Sequence, residues 1–159
     1  MTKSLTMFLV MTCALLAQAR LMNAEGDVNV LKSRVADPSE AVKEATALLK
    51  QFLKHEEARE YERCYDLFSS RYKDTLKKES GIRNRDEYRN MRVFQGLRWR
   101  NSNIKDTRVY EGGARVLFIV EITFAQHIFG ERIVTERIDS TFQLVKEGRM
   151  WAIDAWTYS

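Results

Sequence analysis

Between Ala114 and Gln126 the chain alternates strictly. Val116, Phe118, Val120, Ile122 and Phe124 are large and apolar, while Arg115, Leu117, Ile119, Glu121 and Thr123 are mixed. A period of two with one wholly apolar face predicts a central strand of an antiparallel sheet packed on one side. The same period runs from Leu97 to the end, predicting strands over about 97–110, 114–127, 131–146 and 149–158. Parity constrains the turns, because each register must bring apolar faces together. A Gly112-Gly113 turn sets Val109 opposite Val116 and Thr107 opposite Phe118. A Glu147-Gly148 turn sets Leu144 opposite Trp151 and Phe142 opposite Ile153. In the middle hairpin a three-residue loop, Ile128-Phe129-Gly130, pairs Phe124 with Val134 and Val120 with Ile138.

Upstream the period is helical. Asp37-Pro38-Ser39-Glu40 reads as a helix start, with Asp37 as cap, Pro38 at the first turn and Glu40 returning to the cap. Val42, Ala45, Leu49, Phe52 and Leu53 form the stripe that follows. The charged stretch His55–Glu60 is expected to hold a break, after which Tyr61, Tyr65, Phe68 and Tyr72 mark a second helix. Asn84 with Glu87 predicts a capping box for a short third helix, with Tyr88, Met91 and Phe94 inward and Gly96 ending it. The expected fold class is α+β, three N-terminal helices packed on a curved four-stranded antiparallel meander.

The 159 residues suit one domain with a real core. The N-terminus departs from globular composition. Lys3, the apolar run Leu5–Ala17 and the small-x-small pattern Ala17-Gln18-Ala19 predict a signal peptide over residues 1–24, with the mature chain starting near Arg20 or Glu25. The expected localisation is therefore exported, periplasmic or secreted. Residues 25–36 show no period and are read as a flexible lead-in to a single domain over 37–159. Loss of residues 1–24 leaves Cys64 as the sole cysteine, which predicts a buried thiol and no intrachain disulfide. It also takes Lys3 and Arg20, lowering the formal charge from +4 to +2, too little for a whole-protein polyanion-binding argument. Positive charge concentrates locally instead. From Arg71 to Arg100 there are ten Lys or Arg against four Asp or Glu. Arg85, Arg89 and Arg92 fall on one helix face and predict a basic patch, extended by Lys77, Lys78 and Arg83, that would attract an anionic partner or a membrane surface.

Motif chemistry is sparse. His55-Glu56 begins like a zinc-protease helix, but Arg59 stands where the second His belongs. With two histidines, His55 and His127, no metal site is expected, and the glycines form neither a P-loop nor a dinucleotide fingerprint, so no cofactor is expected. Arg98-Trp99-Arg100 is explained by strand alternation, Trp99 inward and the arginines outward, rather than by a nucleic-acid platform. One residue breaks its pattern: Glu136 shares parity with Val134, Ile138, Phe142 and Leu144, and the register above sets it opposite Ile122. An inward carboxylate there must be neutralised, paired or open to a wet pocket, and only a pocket makes it a ligand anchor or general base.

The segment Glu60-Tyr61-Glu62-Arg63-Cys64-Tyr65-Asp66-Leu67-Phe68-Ser69, the short helix ending at Gly96, and the closing hairpin through Met150-Trp151-Ala152-Ile153-Asp154 give a resemblance over about residues 38–158. It is to the nuclear-transport-factor-2-like superfamily of α+β cones, and especially to its small exported members of unknown function. The resemblance implies a cone pocket, here expected to be lined by Phe118, Val120, Phe124, Ile138, Phe142 and Trp151 with Glu136 as its polar group. It does not choose among the superfamily's activities. The leading functional reading is an exported, non-enzymatic module binding a small apolar ligand or a protein partner. The alternatives are a metal-independent pocket enzyme using general acid/base chemistry and a structural dimerisation domain. A homodimer through the outer sheet face is expected, with Trp156 opposite Asp139 beside Leu117 and Ile119.

Overall fold

A computed structural model describes residues 38–128 and 131–158. The expected signal peptide, lead-in, Asp37 cap and the tip of the middle hairpin lie outside these residues.

The first helix, α1, spans Pro38–Ala58. Ala41, Ala45, Leu49, Phe52 and Leu53 are its buried stripe, with Val42 at the margin. The stripe does not stop where the sequence becomes charged. Glu56 follows Phe52 by four residues and is 2% exposed. The break comes at Arg59, whose φ of 61° is left-handed, while the Glu60 amide donates back to the His55 carbonyl at 2.8 Å.

The Tyr61–Tyr72 stripe is real, with Tyr61, Tyr65 and Phe68 buried and Tyr72 half-buried, but its helix is interrupted. α2 runs Tyr61–Asp66 and α3 runs Ser70–Ser80. Between them Leu67–Ser69 leaves helical geometry to pair with the last strand. The Ile153 amide donates to Leu67 at 2.9 Å and the Ser69 amide donates to Ile153 at 2.8 Å. Ser69 then caps α3, its Oγ accepting from the Tyr72 amide at 2.9 Å. α4, Arg85–Gln95, has the expected Asn84 cap, accepting from the Glu87 amide at 2.9 Å, and ends at left-handed Gly96. Glu87 reaches the Arg83 amide instead of the cap's own. Tyr88 is buried as expected, but Phe94 points outward and is 87% exposed.

Strands β1 (Leu97–Tyr110), β2 (Arg115–Ile128), β3 (Glu131–Glu147) and β4 (Met150–Tyr158) form one antiparallel sheet in chain order. The first hairpin keeps the expected pairs Val109–Val116 and Thr107–Phe118, closed by a 3-10 turn at Glu111–Gly113. The other two registers are displaced by two residues. Phe124 faces Glu136 and Ile122 faces Ile138; Leu144 faces Ile153 and Lys146 faces Trp151. A displacement of two preserves parity, so the apolar face survives intact.

Bulges are what parity could not reveal. Extra residues at Arg100 and Lys105 in β1 each switch the inward face, so Trp99, then Ser102 and Ile104, then Thr107 and Val109 share one side. An extra residue at Asp154 does the same in β4. Trp156 therefore turns inward opposite Phe142, not outward opposite Asp139, which corrects the expected outer Trp patch. The core lies between this face and the helices, with Phe52 in ring contact with Phe68, Trp99, Phe142 and Trp156. The protein is thus an α+β fold, helices on one four-stranded antiparallel sheet.

Candidate functional site

Most of the residues expected to line a pocket are core instead, although Trp151 borders a cleft of about 520 Å³ with Leu48, Gln51, Phe68 and Lys73. Phe118, Val120 and Phe142 are fully buried, Phe124 and Trp151 nearly so, and Ile138 is half-buried. The inward rings of Phe52, Trp99 and Trp156 fill the space that an apolar ligand would need. Glu136 keeps its parity with the apolar face but stands opposite Phe124, not Ile122, and is exposed there, so it is not a buried carboxylate between apolar pairs.

The inward carboxylate is Glu56. Its Oε2 accepts from Arg92 Nη2 at 2.6 Å and its Oε1 accepts from the Tyr88 hydroxyl at 3.1 Å. Arg92, 2% exposed, also donates from Nη1 to Gln95 at 2.7 Å. Its guanidinium lies 5.6, 5.7 and 5.3 Å from the ring centres of Tyr61, Trp99 and Trp156. Burial, the largest influence, would lower the Arg92 pKa, but the Glu56 carboxylate together with the Tyr88 and Tyr158 hydroxyls outweighs it and holds the group more firmly charged than usual. Burial pushes the Tyr88 and Tyr72 hydroxyls up, and takes Tyr158 to about 12 despite the nearby Arg92 charge. The Cys64 thiol is likewise raised by burial, with Glu56 adding to the effect, so it is an inert structural thiol. A buried carboxylate held by a guanidinium and a phenol has its hydrogen-bonding partners within the fold. Sequence reasoning missed Glu56, although its place in the 45, 49, 52, 56 series was a usable signal.

The arginines of α4 share a face, as their spacing predicts, but that face is not a basic surface. Arg85 pairs with Asp66 at 3.3 Å, Arg89 with Glu62 at 2.9 Å, and Arg92 with Glu56 at 2.6 Å. The expected patch is a ladder tying α4 to α1 and α2, because acids on those helices stand opposite each guanidinium. A second cluster surrounds the β4 bulge. Asp154 accepts from Ser69 Oγ at 2.7 Å, from Arg71 Nε at 2.9 Å and from Gln143 at 3.1 Å. His55 hydrogen-bonds Glu60 at 2.6 Å, and among the described residues no group of His, Cys, Asp or Glu is arranged to hold a metal. Among the same residues, no helix is long and apolar enough to cross a membrane.

At the open end of the Glu56–Arg92 pair lies a cleft of about 210 Å³. Arg59 and Tyr61 line it from the α1–α2 turn, Arg92 and Val93 from the end of α4, and Leu97 and Arg98 from the start of β1. The outer sheet face is the other surface of interest. Leu117, Ile119 and Val145 lie there half-buried, outside the core cluster and the side chains packed against it. Several of its charges are paired, Lys105 with Glu121 at 3.0 Å and Asp139 at 2.8 Å, Arg108 with Asp106 at 3.0 Å, while Arg137, opposite Thr123, is exposed.

No protein-family model matches the chain, and no curated protein matches it. Solved structures do. One from Exiguobacterium sibiricum, described as a Ca/calmodulin-dependent kinase II association domain, superposes with a TM-score of 0.52 at 18% identity, covering 78% of this chain and 95% of its own. The intermembrane-space region of the chloroplast protein ARC6 gives a TM-score of 0.39 at 10% identity, covering 77% and 96%. The first likeness is one of fold, and it is to the nuclear-transport-factor-2-like architecture.

Proposed function

We propose that this domain is a homo-association module whose outer sheet face docks on a second copy. The observation that carries this reading is the filled interior. Phe118, Val120 and Phe142 are 0% exposed where a ligand-binding or catalytic cone would be hollow. The inward carboxylate Glu56 is locked to Arg92 and Tyr88, which removes the best support for acid/base catalysis.

Among the described residues, the side of the sheet away from the helices is left uncovered. Leu117, Ile119 and Thr123 on β2 with Thr141 and Val145 on β3 are uncharged, and most charges beside them (Lys105, Arg108, Arg115, Glu121, Asp139) are paired within the chain, Arg137 being exposed. A near-neutral face offers no field to select an oppositely charged partner. An identical face meets it without like-charge conflict, as a two-fold contact requires. The fold likeness to a chain described as an association domain agrees with this reading. The tripartite N-terminus supports an exported form of the module, with Ala17-Gln18-Ala19 after its apolar run.

Sedimentation equilibrium tests the proposal. Wild type is expected to sediment as a dimer at tens of micromolar, and Leu117→Lys/Ile119→Lys as a folded monomer. A monomeric wild type at that concentration overturns it, as does a double variant that stays dimeric.

A further inference from the structure

We propose that the cleft at the end of α4 binds a small organic carboxylate, a planar anion on a compact apolar body. This goes beyond the association reading and does not depend on it.

Three independent features converge there. The first is unbalanced charge. The cleft is lined by Arg59, Arg92 and Arg98 and by no acid. Elsewhere on these helices arginines have acidic partners, as Arg85, Arg89 and Arg63 do. Arg59 and Arg98 have none among the described residues. The second is an unmet donor. Arg92 is 98% buried; Glu56 and Gln95 take its terminal nitrogens, and its Nε–H, with the Tyr158 hydroxyl close to the guanidinium, makes no hydrogen bond of good geometry. A buried N–H without a well-placed acceptor is costly, and Arg92 lines the cleft, so an acceptor there that drew the guanidinium toward it would relieve that cost. The third is backbone geometry. Arg59 holds φ at 61°, at a helix end where glycine is the usual residue. The chain accepts that strain at the residue which puts a guanidinium on the cleft.

The walls narrow the ligand class. Tyr61, Val93 and Leu97 supply apolar surface beside the guanidinium groups. A carboxylate matches the planar fork of arginine in bidentate fashion, and an apolar body covers the Tyr61 ring and Leu97. Inorganic phosphate would meet the charge and leave those walls wet. A volume of about 210 Å³ lies below the ~300–1,000 Å³ of sites for drug-sized ligands, so the body is small.

The test titrates butyrate and benzoate into the isotope-labelled full chain, following backbone amide shifts, with butyramide, benzamide and inorganic phosphate as controls. Saturable shifts at Tyr61, Val93 and Leu97 are expected for at least one carboxylate, with its amide at least tenfold weaker. Arg59→Gly separates binding from folding. It relieves the left-handed strain, so the melting temperature is expected to hold or rise, while carboxylate affinity falls at least tenfold. Arg98→Gln, an exposed strand residue, is expected to lose affinity similarly and stay folded. The proposal is overturned by the absence of saturable shifts with both carboxylates, by equal binding of acid and amide, by phosphate binding as tightly as butyrate, or by an Arg59→Gly variant that binds like wild type.

Discussion

The Trp156 indole lies flat on the Phe142 ring, with centroids 5.6 Å apart and planes 9° from parallel. This contact exists because Asp154 adds one residue to β4 and turns everything after it to the other face. Trp156 also meets Phe52 and Trp99 edge-on, and carries the Arg92 guanidinium above its ring. Trp156→Ala is accordingly expected to cost about 3 kcal/mol in urea unfolding, at the low end of large-aromatic truncations because the residue is half-buried. A cost below about 1 kcal/mol would mean that Trp156 is not part of the core.

The buried pair Glu56–Arg92 predicts an asymmetry between single and double substitutions. Glu56→Leu leaves a buried guanidinium without its counter-charge, and Arg92→Met leaves a buried carboxylate. Each is expected to destabilise by about 3–5 kcal/mol. Glu56→Leu with Arg92→Met removes both charges at similar volume and is expected to recover most of that loss. Denaturant midpoints of the four proteins form a double-mutant cycle, and additive losses would show that the two side chains are not coupled.

Asp154 contributes to stability toward acid. Its burial favours the neutral acid, but hydrogen bonds from Arg71, Ser69 and Gln143, with the Arg71 charge, outweigh that and hold its pKa below the ordinary aspartate value. The unfolded chain, at about 3.9, therefore binds this proton more readily than the folded one. The stabilisation is present above about pH 4 and is lost as the pH falls through the lower native value. Asp154→Asn is expected to be less stable near neutrality and to show a flatter decline between about pH 4 and 2. Urea midpoints across pH 2–7 for both proteins check this, and parallel curves would exclude Asp154 as a contributor.

Glu136, exposed opposite Phe124, is expected to be replaceable. Glu136→Gln should change stability by less than about 0.5 kcal/mol. A larger effect in thermal unfolding would place the carboxylate against a partner that its exposure does not indicate.

Periodicity by itself determined the classes of element and the buried side of the sheet. Val116, Phe118, Val120, Ile122 and Phe124 are all inward, because an alternation of two survives any even displacement of register. The caps at Ser69 and Gly96 obey rules that span only a few residues, so such ends are legible locally; Asn84 and Gly96 were read correctly for that reason. What one-dimensional parity does not carry is an inserted residue. The bulges at Arg100, Lys105 and Asp154 depend on how the sheet curves around the helices, and one of them moved Trp156 from the surface to the core. Charge was misread for a related reason. The spacing of Arg85, Arg89 and Arg92 gives a common face, but whether that face is solvated depends on Asp66, Glu62 and Glu56, which lie 19 to 36 residues away in the chain. The arginine cleft is wholly a product of tertiary structure. Arg59, Arg92 and Arg98 belong to three separate segments with no shared periodicity, and only packing α1, α4 and β1 together brings their charges to one place.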